Sequence, residues 1–195
     1  MKIIGVTGGV GAGKSTVLEI LREEYGAGIL MADEIGRELM EPGGACFAQV
    51  RDAFGEGVIK QDGTLDRRKI ASVVFQDQTA LKRLNGIIHP AVRKETEKRL
   101  QDLETSGTDI AVIETAILFE AGYEDICDVV WYVYADEETR IQRLMEGRGY
   151  GRDKCREIMA NQMLDNEFRK RSDAVIDNSG SREDTKEQIA SSLSL

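Results

Sequence analysis

A chain of 195 residues with 41% hydrophobic and 31% charged side chains can bury a sizeable core, and its net charge of −9 argues against a general nucleic-acid binder. Three scattered cysteines without a C-x-x-C pair are expected to be buried or neutral thiols in a reducing compartment rather than bridges or zinc ligands, and the single histidine, His89, excludes a histidine triad or a multi-histidine metal centre. There is no apolar run of membrane-spanning length, and a strand stands where a signal peptide would have its apolar stretch, so a cytoplasmic protein is expected.

Lys2–Thr7 reads as a short buried strand. Gly8-Gly9-Val10-Gly11-Ala12-Gly13-Lys14-Ser15 follows and fits G-x-x-x-x-G-K-[ST] at every fixed position. Val17, Leu18, Ile20 and Leu21 then recur at helical spacing, which predicts a helix from about Lys14 to Glu24. In that context the glycines let the backbone turn tightly and point successive N–H groups at an anion, and the helix start adds its positive dipole end. Gly9 to Thr16 are therefore candidate phosphate-binding residues, with Lys14 reaching the β- and γ-phosphates and the Ser15 hydroxyl a ligand for Mg²⁺. The plainer alternative is a glycine-rich turn. No G-x-G-x-x-G occurs in this loop, so a nicotinamide or flavin site is not expected.

A turn at Gly26-Ala27-Gly28 leads into a second strand, Gly28–Ala32, which ends at Asp33. Ligands of open α/β sheets sit at the carboxyl ends of strands, which places Asp33 near the phosphate loop. There it would accept a proton from an attacking hydroxyl or hold Mg²⁺ through water; equally, it would cap the helix predicted from Glu34 to Met40. From Glu41 to about Glu104 only helical pieces are predicted. One covers Phe47–Phe54. A second is capped by Asp66, with Ile70, Val73 and Val74 on its apolar side. A third carries Leu81, Leu84, Ile87 and Ile88. A break at His89-Pro90 follows, with His89 as the cap and Pro90 in the first helical position, and then a charged helix to about Leu103. Arg37, Arg67, Arg68, Lys69 and Arg93 would meet an anionic acceptor or serve only as a solvated face.

Asp109–Glu114 is a buried strand ending in a carboxylate, in the manner of a Walker-B strand, and Ala116–Glu120 continues as an apolar turn into a short helix. Asp128–Ala135 is a fourth strand, and Asp136 caps the helix after it. Residues 140–171 hold nine basic side chains against five acidic ones and are interrupted by Gly147, Gly149 and Gly151. A basic, glycine-hinged helical pair in this place reads as a lid over phosphates, whose arginines would stabilise the transferring group; an amphipathic hairpin is the alternative. A fifth strand, Asp173–Asp177, is followed by the turn Asn178-Ser179-Gly180. Ser181 with Asp184 then forms a capping box for a last helix running to about Leu193.

Taken in order, Thr7–Thr16, Ala32–Leu39, Glu41-Pro42-Gly43, Gly63–Arg67, Val74-Phe75, Leu84–Pro90, Leu118-Phe119-Glu120, Gln162-Met163 and Val175–Gly180 resemble the dephospho-coenzyme A kinase family across essentially the whole chain. The resemblance implies transfer of the ATP γ-phosphate to the ribose 3′-hydroxyl of dephospho-coenzyme A. It implies a three-layer P-loop NTPase fold with a five-stranded parallel sheet, a helical acceptor-binding insertion and a helical lid. The expected parts are a core of 1–33, 106–138 and 172–195, an acceptor region of 34–105 and a lid of 139–171. Asp33 becomes the base or hydroxyl-positioning group, and Lys14 with Arg143 or Arg148 the catalytic cations. Asn178 and Gly180 lie against the adenine. Arg37, His89, Leu118, Phe119 and Glu120 face the acceptor. Ser15 and Glu114, the latter standing where the family usually has Asp, serve the magnesium ion. A monomer or weak homo-oligomer without nucleic-acid or membrane partners is expected. The alternatives are a nucleoside monophosphate kinase and, further off, a nucleotide-binding regulator; a GTP switch would need N-K-x-D, which the chain lacks.

Overall fold

A computed structural model describes residues 1–194. The five strands are β1 (Lys2–Thr7), β2 (Gly28–Met31), β3 (Ile110–Glu114), β4 (Val129–Tyr134) and β5 (Ala174–Asp177), and they form one parallel sheet in the order β2-β3-β1-β4-β5. Strands covered on both faces read as unbroken apolar runs, and Ile4, Val6, Ala111, Val112, Ile113, Val130 to Val133 and Ile176 are indeed buried. In register, β1 pairs Ile4 with Val112 on one side and with Val129 on the other. The entering ends of β4 and β5 are fastened by carboxylates: Asp128 accepts from the Ile3 N–H (2.6 Å) and Asp173 from the Val130 N–H (2.7 Å).

The helices are α1 (Lys14–Tyr25), α2 (Ala32–Leu39), α3 (Phe47–Phe54), α4 (Arg67–Gln76), α5 (Gln78–Thr105), α6 (Glu137–Arg148), α7 (Arg152–Ala160), α8 (Asp165–Arg171) and α9 (Arg182–Leu193). Two compact units result. Met1–Leu30 with the chain from Leu103 onward contains the sheet and α6 to α9, and Met31–Asp102 is a helical unit. In the first unit α1 and α9 pack together, their buried faces carrying Ile20, Leu21 and Ile189, with Arg182 bridging Glu19 and Glu23 at the rim. The second unit has its own core of Cys46, Val50, Val58, Leu65 and Ile70, and burial pushes the Cys46 thiol up from its ordinary pKa.

Several boundaries differ from expectation. β2 stops at Met31 and α2 begins at Ala32, so Asp33 is not a cap: it lies with Glu34 in the first turn, where a carboxylate is favoured by the helix dipole. His89-Pro90 does not break a helix; α5 runs through Pro90 without interruption. Proline removes one helical N–H, but Leu84, Ile87 and Ala91 on either side pack on the core of the second unit, and that packing outweighs the local loss. Val73 is exposed while Ile70 is buried, which narrows the apolar side of α4. The turn after β3 closes by Ala121 N–H to the Ile117 carbonyl and Tyr123 N–H to the Leu118 carbonyl. The short helix follows only at Tyr123–Asp125, as a 3₁₀ turn entered through Gly122. Gly147 lies inside α6; the break is made by Gly149, whose φ of 66° ends that helix.

Candidate active site

The phosphate loop leaves β1 at Gly8, where φ is 148° and a Cβ would stand 2.4 Å from the Val133 carbonyl oxygen. Only glycine fits that approach. The loop then folds on itself, the Ala12 N–H donating to the Gly9 carbonyl (3.2 Å) and the Thr16 N–H to the Gly13 carbonyl (3.0 Å). The first turn of α1 carries no acidic residue, and its leading N–H groups have no carbonyl behind them in the helix, a combination that favours an anion. Lys14 lies across this loop: Nζ donates to the Gly8 carbonyl (2.9 Å) and stands 3.5 Å from Oε1 of the buried Glu114. Ser15 is exposed.

Three side chains brace the loop from behind. Asn178, buried at the end of β5, donates through Nδ2 to the carbonyls of Ala12 (2.9 Å) and Gly13 (3.3 Å) and accepts the Thr185 hydroxyl (3.0 Å). Arg143 divides its guanidinium between the Ala12 carbonyl (3.2 Å) and the Asn178 carbonyl (2.8 Å). Arg140 donates from Nε to the Val10 carbonyl (2.9 Å) and from Nη2 to Gln162 Oε1 (2.9 Å), and the same oxygen accepts the Val10 N–H (3.0 Å). Burial holds the Arg140 guanidinium below its usual pKa.

Arg140 also lines a cavity of about 260 Å³ with Gly9, Tyr132, Tyr134, Met163 and Asp165. The far wall is held to β4 by α8: Asp165 accepts the Tyr132 hydroxyl (3.0 Å), Phe168 stacks on the Tyr132 ring at 4.7 Å, and Arg169 lies 4.7 Å over Tyr134. Burial and the Asp165 carboxylate together push the Tyr132 phenol well above its ordinary pKa, so it stays a donor.

The expected site residues thus divide. Gly9 to Thr16, Glu114, Arg143 and Asn178 come together in the first unit. Arg148 is exposed at the end of α6. Gly180 is exposed beyond β5, Phe119 lies under the Arg171 guanidinium at 4.1 Å, and Glu120 is exposed. Leu118 is completely buried, its Cδ1 only 2.8 Å from where a Cβ on Gly5 would be. Asp33 and Arg37 belong to the second unit, both exposed and one turn apart on α2, and His89 is half-buried in α5. That unit opens a cavity of about 610 Å³ lined by Lys60, Thr64, Arg67 and Arg68 among others. Arg67 there is tied to Glu41 (2.6 Å), and Lys69 to the Gly57 carbonyl (3.0 Å).

Sequence reasoning counted Arg140 among the nine basic side chains of 140–171 and Gln162 in a family-like stretch, but gave neither a role of its own at the loop. Arg140 could have been found: it stands one turn into the helix capped by Asp136 after β4, at i, i+3 from Arg143, and so shares a face with it. Gln162, between α7 and α8, carries no local signal beyond its place in the Gln162-Met163 stretch.

For magnesium, the chemistry of the donors fits. Ser15 offers a hydroxyl and Glu114 a carboxylate, while among the described residues no three His, Cys, Asp or Glu side chains converge. A Mg²⁺ ion is commonly held by so few protein oxygens, with phosphate oxygens and water completing its octahedron.

A parallel five-stranded sheet with this loop on its central strand defines the P-loop NTPase fold. The model of the dephospho-CoA kinase family matches residues 2–184, and the chain belongs to that family. A dephospho-CoA kinase of Geobacter sulfurreducens is 43% identical over 97% of this chain and 95% of its own length. A crystal structure from Thermus thermophilus, 33% identical, superposes with a TM-score of 0.86 over 98% of this chain and 95% of that one. Dephospho-CoA kinase from Campylobacter jejuni, 24% identical, shares the fold with a TM-score of 0.72, covering 100% of this chain and 96% of that chain.

Proposed function

We propose that this chain is a dephospho-CoA kinase that transfers the γ-phosphate of ATP to the ribose 3′-hydroxyl of dephospho-coenzyme A. The observation that carries the reading is the phosphate loop, with Lys14 folded across it, in a chain that matches the family from residue 2 to 184. ATP binds with its phosphates on the loop and on the first-turn amides of α1, and Lys14 moves from the Gly8 carbonyl to the β- and γ-phosphates. Asn178 and Gly180 lie on the adenine side, where the side chain of Asn178 acts by holding the loop. Ser15 and Glu114 would hold Mg²⁺, which would supply neutralisation of charge on the phosphates.

Arg140 supplies the cation for the transferring group. Arg143 braces the loop with both of its Nη groups, and Arg148 serves the outer face. Residues 139–171 close as a lid and exclude water. Asp33 orients the acceptor hydroxyl and takes its proton, with Arg37, His89, Phe119 and Glu120 on the acceptor side. Lys60 and Arg68 of the larger cavity meet acidic groups of the acceptor.

The test is ADP release coupled to a reporter, with dephospho-coenzyme A, AMP, GMP and CMP as acceptors. Release with dephospho-coenzyme A alone is expected; preference for a monophosphate would replace this reading with a nucleoside monophosphate kinase. In the same assay Asp33→Asn lowers kcat about 100-fold or more with little change in ATP affinity. Near wild-type turnover would remove Asp33 from the mechanism.

A further inference from the structure

Gln162 stands outside every role assigned so far, yet its side chain occupies a demanding position. Its Oε1 accepts two hydrogen bonds, from the Val10 N–H at 3.0 Å and from Arg140 Nη2 at 2.9 Å. One donor is a backbone amide of the phosphate loop, and the other is the guanidinium lying over the loop tip. Arg140 is held along one edge only, through Nε to the Val10 carbonyl and Nη2 to Gln162. A guanidinium has five N–H donors, so the end edge formed by Nη1 and the second Nη2 proton is left to grip an oxyanion with two bonds.

The arrangement needs a bare backbone at residue 9. A Cβ on Gly9 would lie 2.4 Å from Arg140 Nη2 and 3.0 Å from Gln162 Oε1. The connector that presents Gln162 is fixed at both ends. Its N–H closes on the Met159 carbonyl (3.2 Å), and α8 beyond it is pinned to Tyr132 through Asp165 and Phe168.

We infer that Gln162 is a positioning residue: its neutral amide oxygen joins the Val10 N–H to Arg140 and so aims the free edge of the guanidinium at the phosphate held by the loop. The inference rests on the phosphate-transfer reading above. A neutral acceptor suits the task. A carboxylate in its place would hold Arg140 as firmly but would cancel its charge and repel the phosphate.

The test is a double-mutant cycle between Gln162→Met and Arg140→Ala, with kcat, the KM for ATP and titrated ATP affinity measured in the full-length protein. Gln162→Met keeps bulk and flexibility, and the half-buried site tolerates it. Gln162→Met alone is expected to lower kcat about 10- to 100-fold, since a slightly misaimed group loses most of its effect. Arg140→Ala should lower it about 100-fold or more. Added to Arg140→Ala, the Gln162 change should cost little further. Gln162→Glu should restore the geometry but raise the KM for ATP. Losses that multiply in the double variant, or wild-type kcat in Gln162→Met, would overturn the inference. If Gln162→Met unfolds, Gln162→Asn, which keeps the amide but shortens its reach, carries the same cycle. Wild-type protein that turns over no acceptor would sink the functional reading instead; the cycle in ATP affinity then still decides the role of Gln162.

Discussion

Replacing Asn178 by alanine isolates how far the loop depends on what stands behind it. The side chain is 2% exposed and makes three hydrogen bonds, to the Ala12 and Gly13 carbonyls and from the Thr185 hydroxyl. Alanine removes all three. The partners are not left wholly bare, because Ala12 keeps Arg143 (3.2 Å) and Thr185 keeps the Ser181 carbonyl (3.2 Å). At about 1 kcal/mol net for each bond the loss is about 3 kcal/mol. For a chain of this size each kcal/mol lowers Tm by about 2–4 °C, so the expected fall is about 6–12 °C. Gly13, which enters α1 with φ of 84°, loses one of the contacts on its carbonyl, so ATP affinity should fall as well, by about tenfold. Differential scanning calorimetry with and without ATP reads both effects. An unchanged Tm would refute the ledger. A lowered Tm with unchanged ATP affinity would show that the loop keeps its shape without this brace.

Gly8→Ala and Gly9→Ala should separate folding from chemistry. At Gly8 the new methyl meets the Val133 backbone oxygen at 2.4 Å in a conformation that only glycine adopts easily, so a loss of about 3 kcal/mol or more of stability is expected by urea titration. At Gly9 it meets the far end of the Arg140 side chain, which can move; the fold should survive while kcat falls about tenfold or more in the coupled assay. Asp136 caps α6, and its bonds from the Thr139 hydroxyl (2.6 Å) and N–H (2.9 Å) hold its carboxyl below the ordinary range of an aspartate. A depressed carboxyl stabilises the fold above its unfolded value and loses that contribution as pH falls through the folded one. The Tm difference between wild type and Asp136→Ala should therefore be constant from pH 8 to 5 and shrink below pH of about 4. A difference that grows on acidification would contradict the cap.

Much of the fold was legible along the chain because its signals are local. The short Ile- and Val-rich runs of β1, β3 and β4 read as interior strands by their length and β-branched content, and they are largely buried in the sheet. Asp66, Asp136 and the Ser181–Asp184 box mark helix starts with chemistry that acts within three residues, and each is a cap in the structure. Pro90 misled because its local penalty is visible in sequence, while the apolar neighbours that outweigh it become partners only in the folded core of Met31–Asp102. Val73 misled for a related reason: helical spacing shows which residues share a face, and burial depends on what lies opposite.

The site shows the same division. By itself the sequence determined a phosphate loop, because Gly8 to Ser15 is one contiguous device whose geometry follows from glycine conformations and a helix start, and the ordered stretches from Ala32 to Gly180 carried the resemblance to one kinase family. Tertiary structure alone decided which of the basic residues after β4 face that loop. Arg140, Arg143, Gln162 and Asn178 lie 22 to 166 residues from their partners in sequence, and nothing local to them says that they converge. The order of strands in the sheet brings the ends of β1, β4 and β5 side by side, and only there do these side chains become the wall against the loop.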